Sequence, residues 1–180
     1  MTQLTQAASA ASSTVAAGAQ THQYLTFTLG GELFAIGILC IKEIIEYASL
    51  TEVPMMPAAV RGVINLRGAV VPVTDLLLRF GKKSSPVSKR TCIVIIEVMG
   101  LGERQDIGIV VDSVDSVLDI PASEIEPPPT FGAGIRTDFI RGMGKVNGKF
   151  VILLDVNHAL AMEEVTALAH LPPQGAEQAA

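Results

Sequence analysis

Residues 61–76 read RGVINLRGAVVPVTDL, and residues 141–156 read RGMGKVNGKFVILLDV. Laid over one another without a gap, Arg61 falls on Arg141, Gly62 on Gly142, Gly68 on Gly148 and Asp75 on Asp155. Each copy reads as a strand, a turn at glycine, a second strand and a closing Asp. The upstream segments correspond as well: FAIGILCIKEII at 34–45 lies over IGIVVDSVDSVL at 107–118, and a hairpin signal precedes each, at 24–36 and 92–111. Two copies are too few for a solenoid, which needs three or more. Strands this aliphatic aggregate through open edges unless the sheet closes. The repeat therefore predicts a mainly all-β fold of two small five-stranded antiparallel barrels, with a short C-terminal helix.

Local signals agree. In YLTFTL (24–29) the apolar residues alternate, with Leu25, Phe27 and Leu29 on one face, and Gly30-Gly31 follows as a two-residue hairpin turn. Residues 92–98, 107–111, 69–73 and 149–154 are further strands, with a turn at 100–103. Pro72 cannot donate to a ladder and marks an edge or a bulge. Asp75 to Phe80 reads as one helical turn ended by Gly81. Residues 157–168 are the best helix candidate, capped by Asn157.

Residues 1–22 are rich in Ala, Ser, Thr and Gln without a charge, and residues 169–180 contain Pro172, Pro173 and Gly175; both are expected to be disordered tails. The ordered domain is then 23–168. The first barrel is drawn mostly from 37–90 and the second mostly from 91–160, with the N-terminal strand open to sharing. Mean hydropathy is +0.44, yet the apolar runs are short: the longest, 34–41, ends at Lys42 and Glu43, and a spanning helix needs about 20 residues. No signal peptide opens the chain, so a cytoplasmic location without membrane insertion is expected. Cys40 and Cys92 sit among aliphatic residues and read as small buried hydrophobes.

Catalytic groupings do not emerge. A net charge of −5 and a pI near 5.1 argue against nucleic acid as a partner. Gly144-Lys145 precedes Val146, which is neither Ser nor Thr, so a phosphate loop is missing. His22, His158 and His170 are scattered, which fits neither zinc nor a nucleophile triad. Asp112, Asp115 and Asp119 lack the glycine and terminal Glu of a calcium loop and read as solvated positions. A small-molecule or hydrolytic double barrel would need convergent titratable groups that this sequence lacks. No metal, cofactor or catalytic residue is assigned, and binding is the leading class. Arg61, Arg67 and Arg141 lie beside glycines, where a guanidinium either reaches a partner carboxylate or locks the turn through Asp75 or Asp155. The two readings are balanced for Arg67, and the internal pair is favoured for Arg141. Phe131 ends the stiff run EPPPTF and reads as exposed.

The segment VRGVINLRGAVVPVTDLLLRF (60–80) resembles the signature of the CheW family of bacterial chemotaxis adaptors. QYLTFTLGGELFAI (23–36), IGIVVDSVDSVL (107–118) and IRGMGKVNGKFVILLDV (140–156) carry the resemblance across 22–168. The resemblance implies two five-stranded barrels around an apolar groove and no catalysis. It implies coupling of the cytoplasmic tip of chemoreceptors to the regulatory domain of the histidine kinase CheA. Related adaptors serve chemotaxis-like pilus or gliding pathways. The positions it marks for receptor or kinase contact are Ile41, Glu43, Arg61, Gly62, Asn65, Leu66, Arg67 and Gly68. Phe131 matches an aromatic at a second kinase contact.

Overall fold

The computed structural model describes residues 21–100, 102–128 and 137–160. The expected tails, Phe131 and the part of the helix candidate beyond 160 lie outside them, except that the first strand already begins at Thr21. The first half of the chain forms β1 (Thr21–Leu29), β2 (Glu32–Gly37), β3 (Ile41–Glu46), β4 (Val60–Leu66), β5 (Ala69–Asp75) and α1 (Leu76–Arg79). The second half repeats the series as β6 (Cys92–Gly100), β7 (Glu103–Val111), β8 (Ser113–Pro121), β9 (Ile125–Glu126), β10 (Ile140–Val146), β11 (Lys149–Leu154) and α2 (Val156–Ala159). The fold is mainly β, as the repeat predicts.

The strands form two sheets, and each borrows a hairpin from the other half. One runs β3-β6-β7-β5-β4, so the 92–111 hairpin sits among first-half strands. The other runs β8-β1-β2-β11-β10-β9, with the N-terminal hairpin among second-half strands. The division near residue 90 expected from the repeat thus does not follow the sheets. The correction has a physical origin. The stretches 34–45 and 107–118 are crossovers that carry the chain from one sheet to the other, through a 3₁₀ turn at Ile38–Cys40 in one case and Asp112 in the other. Two junctions, β5 with β7 and β11 with β2, are parallel where only antiparallel pairing was expected, and the second sheet carries β9 as a short sixth strand.

Each sheet closes through the segment that leaves its outer strand. Beyond β3, Thr51 bridges to Val63 of β4 at the opposite edge. Beyond β8, β9 pairs with β10. Both closures pass over the second glycine-motif residue. A Cβ on Gly62 would lie 2.6 Å from the Thr51 carbonyl oxygen, and one on Gly142 would lie 2.7 Å from Ile125 Cγ2 and 2.9 Å from the Glu126 carbonyl oxygen. The repeated Arg-Gly pair is therefore a closure device, since only a residue without Cβ lets the crossing backbone this near.

Closure leaves three apolar cores. Tyr24, Ala35, Ile120, Val151 and Leu153 fill one ring, and Val71, Val73, Ile93, Ile95 and Val110 fill the other. The largest lies between the sheets and takes Phe27 and Phe34 from one, Val94 and Ile109 from the other, and Leu76 and Val156 from the two helices. A row of rings, Phe27–Phe34–Phe80–Phe139, crosses it at centroid spacings of 6.3, 6.1 and 5.8 Å, within the favourable range for aromatic pairs. The helices meet here too: Arg79 Nε–H donates to the Ala159 carbonyl at 3.0 Å, and its guanidinium lies 5.5 Å from the Phe139 ring centroid.

Both cysteines are half-buried at the margin of this central core, not fully enclosed as expected. Burial pushes the Cys40 thiol pKa up, with Arg141 opposing and Asp155 and Glu97 adding to the rise. Burial and Glu46 do the same for Cys92. The thiolate is the reactive form, so both thiols are expected to react with a disulfide reagent more slowly than free cysteine at neutral pH and to accelerate on raising the pH. Stopped-time thiol titration at two pH values checks this. Gly62→Ala is expected to lower stability by about 2–3 kcal/mol, because Gly62 has φ +154° as well as the backbone contact. Gly37→Ala, where a Cβ meets nothing within 4 Å, is expected to change it by no more than about 0.5 kcal/mol. Urea unfolding of the two variants makes the comparison.

Candidate functional site

The RGVINLRG segment forms β4 and the tip of the β4–β5 hairpin. Arg67 (φ 52°) and Gly68 (φ 87°) are its two turn residues, the geometry that matches the twist of paired strands. Asn65 Oδ1 accepts from the Gly68 N–H at 2.9 Å and fixes the turn from one side. Arg67 stands out from the tip with its side chain 79% exposed, and its guanidinium reaches Glu43 Oε1 at 3.1 Å. β3 and β4 are the outer strands of one sheet, so ring closure is what brings Glu43 and Arg67, 24 residues apart in the chain, into contact.

Arg61 is placed differently. Its guanidinium bonds Asp75 Oδ2 at 3.0 Å, and the Asp75 side chain is only 3% exposed. Asp75 also caps α1, its Oδ1 accepting from the Leu77 N–H at 2.9 Å, and Ser84 closes a hydrogen bond to Oδ2. Arg61 thus neutralises a buried carboxylate and locks β4 to α1. The second copy departs from this. Asp155 caps α2 by accepting from the backbone of Asn157 and His158, where Asn157 itself was the expected cap. Its other oxygen takes His158 Nδ1 at 2.9 Å, and not Arg141, which lies exposed on β10. The reason lies at the third helical position. His158 there competes for the capping carboxylate, whereas Leu78 in the first copy leaves Asp75 to Arg61. Asp112, expected to be merely solvated, accepts from Gly30 N–H at 2.8 Å and from Ser85 Oγ–H at 2.9 Å and so pins the N-terminal hairpin turn.

The remaining predicted positions support this surface. Ile41 is half-buried against the central core, and Leu66 packs against the ring core beneath β4. Gly62 is buried at the closure. Phe131 lies outside the described residues. Sequence reading missed Leu39, 95% exposed on the crossover between the sheets, and Val70, 70% exposed just beyond the Arg67–Gly68 turn. Both sit inside long apolar runs, where periodicity reads every residue as core. On the flank nearest Glu43, Lys42 Nζ lies 3.2 Å from Glu97 and 2.9 Å from Asp106, and Arg104 lies 3.5 Å from Glu97. Hydrogen bonds to Asp106 and then Glu97 raise the Lys42 pKa. The surface is thus a rigid hairpin tip carrying one exposed ion pair, isolated apolar residues and a flank of both charges. Among the described residues, no helix is long and apolar enough to cross a membrane.

Comparison with known proteins agrees with this architecture. The family model for the CheW-like domain matches residues 23–164. The chain is 35% identical over 144 residues to Chemotaxis protein CheW of Klebsiella aerogenes, covering 80% of this chain and 84% of that one. It is 28% identical over 127 residues to Protein FrzA of Myxococcus xanthus, covering 71% and 76%. The crystal structure of scaffolding protein TtCheW from Thermoanaerobacter tengcongensis superposes with a TM-score of 0.69 at 35% identity, covering 79% of this chain and 87% of that one.

The two arginines of the motif are expected to separate by stability. Arg61→Ala strands the Asp75 carboxylate in the interior and is expected to cost about 2–3 kcal/mol, a buried-pair value reduced for the partial exposure of Arg61. Arg67→Ala removes only an exposed pair and is expected to stay within about 0.5 kcal/mol. Urea midpoints at constant slope measure both.

Proposed function

The chain belongs to the CheW-like family, and on that premise we propose that it is a non-catalytic adaptor coupling the cytoplasmic tips of chemoreceptors to the regulatory domain of the histidine kinase CheA. It works in the cytoplasm and is recruited to membrane-associated receptor arrays. The observation that carries this reading is the Glu43–Arg67 pair held out on the closed sheet, with Val70 exposed beside it. A rigid tip combining an apolar spot with a polar, charged surround is the make-up of a reversible protein interface. The titratable groups of the repeated motif have structural employment: Asp75 and Asp155 cap helices, and Arg61 neutralises one of them.

Within this reading Glu43 and Arg67 touch the partners, and Ile41, Arg61, Gly62, Asn65, Leu66 and Gly68 hold them in place. Phe131 contributes a second kinase contact. The similarity to Protein FrzA, a relative that does not carry the chemotaxis name, favours one further reading: the same adaptor serving a chemotaxis-like pilus or gliding pathway. Gene neighbourhood separates the two, since flagellar and pilus systems keep different neighbours.

Arg67→Ala is expected to fold normally and to lower receptor-stimulated kinase autophosphorylation several-fold in a reconstituted receptor–kinase assay. The charge exchange Glu43→Arg with Arg67→Glu is expected to fold equally well and to stay impaired, because the internal pair is restored while the face shown to the partner is inverted. Full coupling by Arg67→Ala would remove Arg67 from the contact surface.

A further inference from the structure

The two copies of the motif share a backbone and differ in the use of one carboxylate oxygen. In the first, Val60 pairs with Thr74, the ladder shifts register before Gly62, and the Asp75 N–H donates to the Ala59 carbonyl at 2.7 Å. In the second, Ile140 pairs with Leu154, the ladder shifts before Gly142, and the Asp155 N–H donates to the Phe139 carbonyl at 2.8 Å. Arg61 and Arg141 thus occupy the same bulge position, and Asp75 and Asp155 the same cap. Oδ1 of each Asp accepts from the first backbone N–H groups of its helix. Oδ2 is where the copies part. It takes Arg61 Nη1 at 3.0 Å in the first and His158 Nδ1 at 2.9 Å in the second. The shared backbone gives Arg141 the same reach to Asp155 that Arg61 has to Asp75, and the imidazole of His158 stands in its way.

The two competitors answer differently to pH. A guanidinium keeps its charge at every pH a protein meets, whereas histidine is the side chain that changes charge between pH 5 and 8. As an imidazolium, His158 offers Asp155 a charge-assisted bond from only three residues away. Once neutral it keeps an N–H but loses the charge, and a charge-assisted bond is about twice as strong as a neutral one. The guanidinium then has the stronger claim on Oδ2. The His158 side chain is 68% exposed and that of Asp155 30%, so the exchange needs no opening of the core. Neighbouring charges do not decide it. On β6, Glu97 is already engaged by Lys42 and Arg104. Asp138, exposed on the 3₁₀ turn Thr137–Phe139, attracts both cations alike. Arg79, from α1, donates to the Ala159 carbonyl and not to Asp155. Arg141 and Asp155 both act on the Cys40 thiol, with opposite sign, so they share the neighbourhood of the crossover at Ile38–Cys40.

We infer that the second copy of the motif is a pH-set switch. With His158 protonated, Asp155 holds the imidazolium and the Arg141 guanidinium stands out from β10 beside the crossover. With His158 neutral, Arg141 folds onto Asp155 as Arg61 does onto Asp75, and the imidazole is released. The inference does not depend on the adaptor reading. It adds to that reading a regulatory device, since acid places one more cation on the surface near Cys40, where it strengthens the hold on a partner carboxylate.

The test follows the Arg141 guanidinium by NMR in the full chain between pH 5 and pH 8, its signals assigned by their loss in Arg141→Lys. In the wild type, rotation about the Cζ–Nε bond is expected to slow several-fold as the pH rises, with a midpoint inside that range. His158→Leu gives the second copy the residue type of Leu78 and is expected to hold Arg141 in the slow, paired state at both ends of the range. Asp155→Asn keeps a cap acceptor and is expected to hold it in the fast, unpaired state at both. Urea unfolding supplies a second readout: the coupling between Arg141→Ala and Asp155→Asn in a double-mutant cycle is expected at pH 8 and not at pH 5, and at both in a His158→Leu background. Should Asp155→Asn fail to fold, the comparison of wild type with His158→Leu decides alone. An Arg141 signal that ignores pH in the wild type overturns the switch, and so does a pH response that persists unchanged in His158→Leu. Neither outcome touches the adaptor reading, which the receptor–kinase assay tests separately.

Discussion

The N-terminal hairpin and the 92–111 hairpin are apolar on both faces, and nearly every other feature of the fold follows from having to cover both. On β2, Phe34 and Ile36 point to the central core while Ala35 points into a ring. On β6, Val94, Ile96 and Val98 face the centre while Ile93 and Ile95 face a ring. A hairpin folded only onto its own half would leave one of these faces in water, and each buried aliphatic side chain is worth about 1.5–3 kcal/mol. Exchange of hairpins between the halves covers both faces at once. It also fixes the crossovers, the two parallel junctions and the meeting of α1 with α2 over the Phe row.

The surface is shaped by the same requirement. A mean hydropathy of +0.44 exceeds what two small ring cores alone require. Much of that excess lies in the core between the sheets, which is larger than either ring core. Among the described residues, the exposed large apolar side chains come from many different elements, with Leu39, Met55 and Val70 the most open. Scattered residues of this kind give little affinity by themselves. On the proposed adaptor reading, a partner surface draws on charge as well, which fits the exposed Glu43–Arg67 pair.

Several of these features can be read from the sequence because their causes are local. The two-glycine turn at 30–31, the one-turn helix after Asp75 and the strands flanking Gly68 and Gly148 depend on residues within a few positions. Sheet membership does not. That β6 joins β3 while β8 joins β1 is decided by which apolar face finds cover, a long-range matter that periodicity cannot express. The Arg-Gly repeat shows both limits. Its glycine is legible as a repeated position, yet its use is to let a closing segment cross where a Cβ would stand 2.6 Å from the Thr51 carbonyl oxygen. Its arginines were legible as carboxylate ligands, yet His158 against Leu78 decides which copy forms the pair. Cys40 and Cys92 read as enclosed because their neighbours are aliphatic, but both lie at the margin of the packed region.

The two hairpin tips also differ in a way that bears on function. Arg67 and Asn147 occupy equivalent turn positions, with φ of 52° and 51°. Asn tolerates this left-handed region well, and a long side chain such as Arg is less at ease there. As a turn former Asn147 is the better choice, so turn geometry does not account for Arg67. Its exposed pair with Glu43 is worth about 0–1 kcal/mol, which roughly offsets the backbone cost and leaves no net gain in stability. A strained residue with an exposed charge and no stabilising return is better explained by what it presents outward. On the proposed adaptor reading, that asymmetry favours the first hairpin tip as the partner contact, while the second copy of the motif holds the other sheet closed.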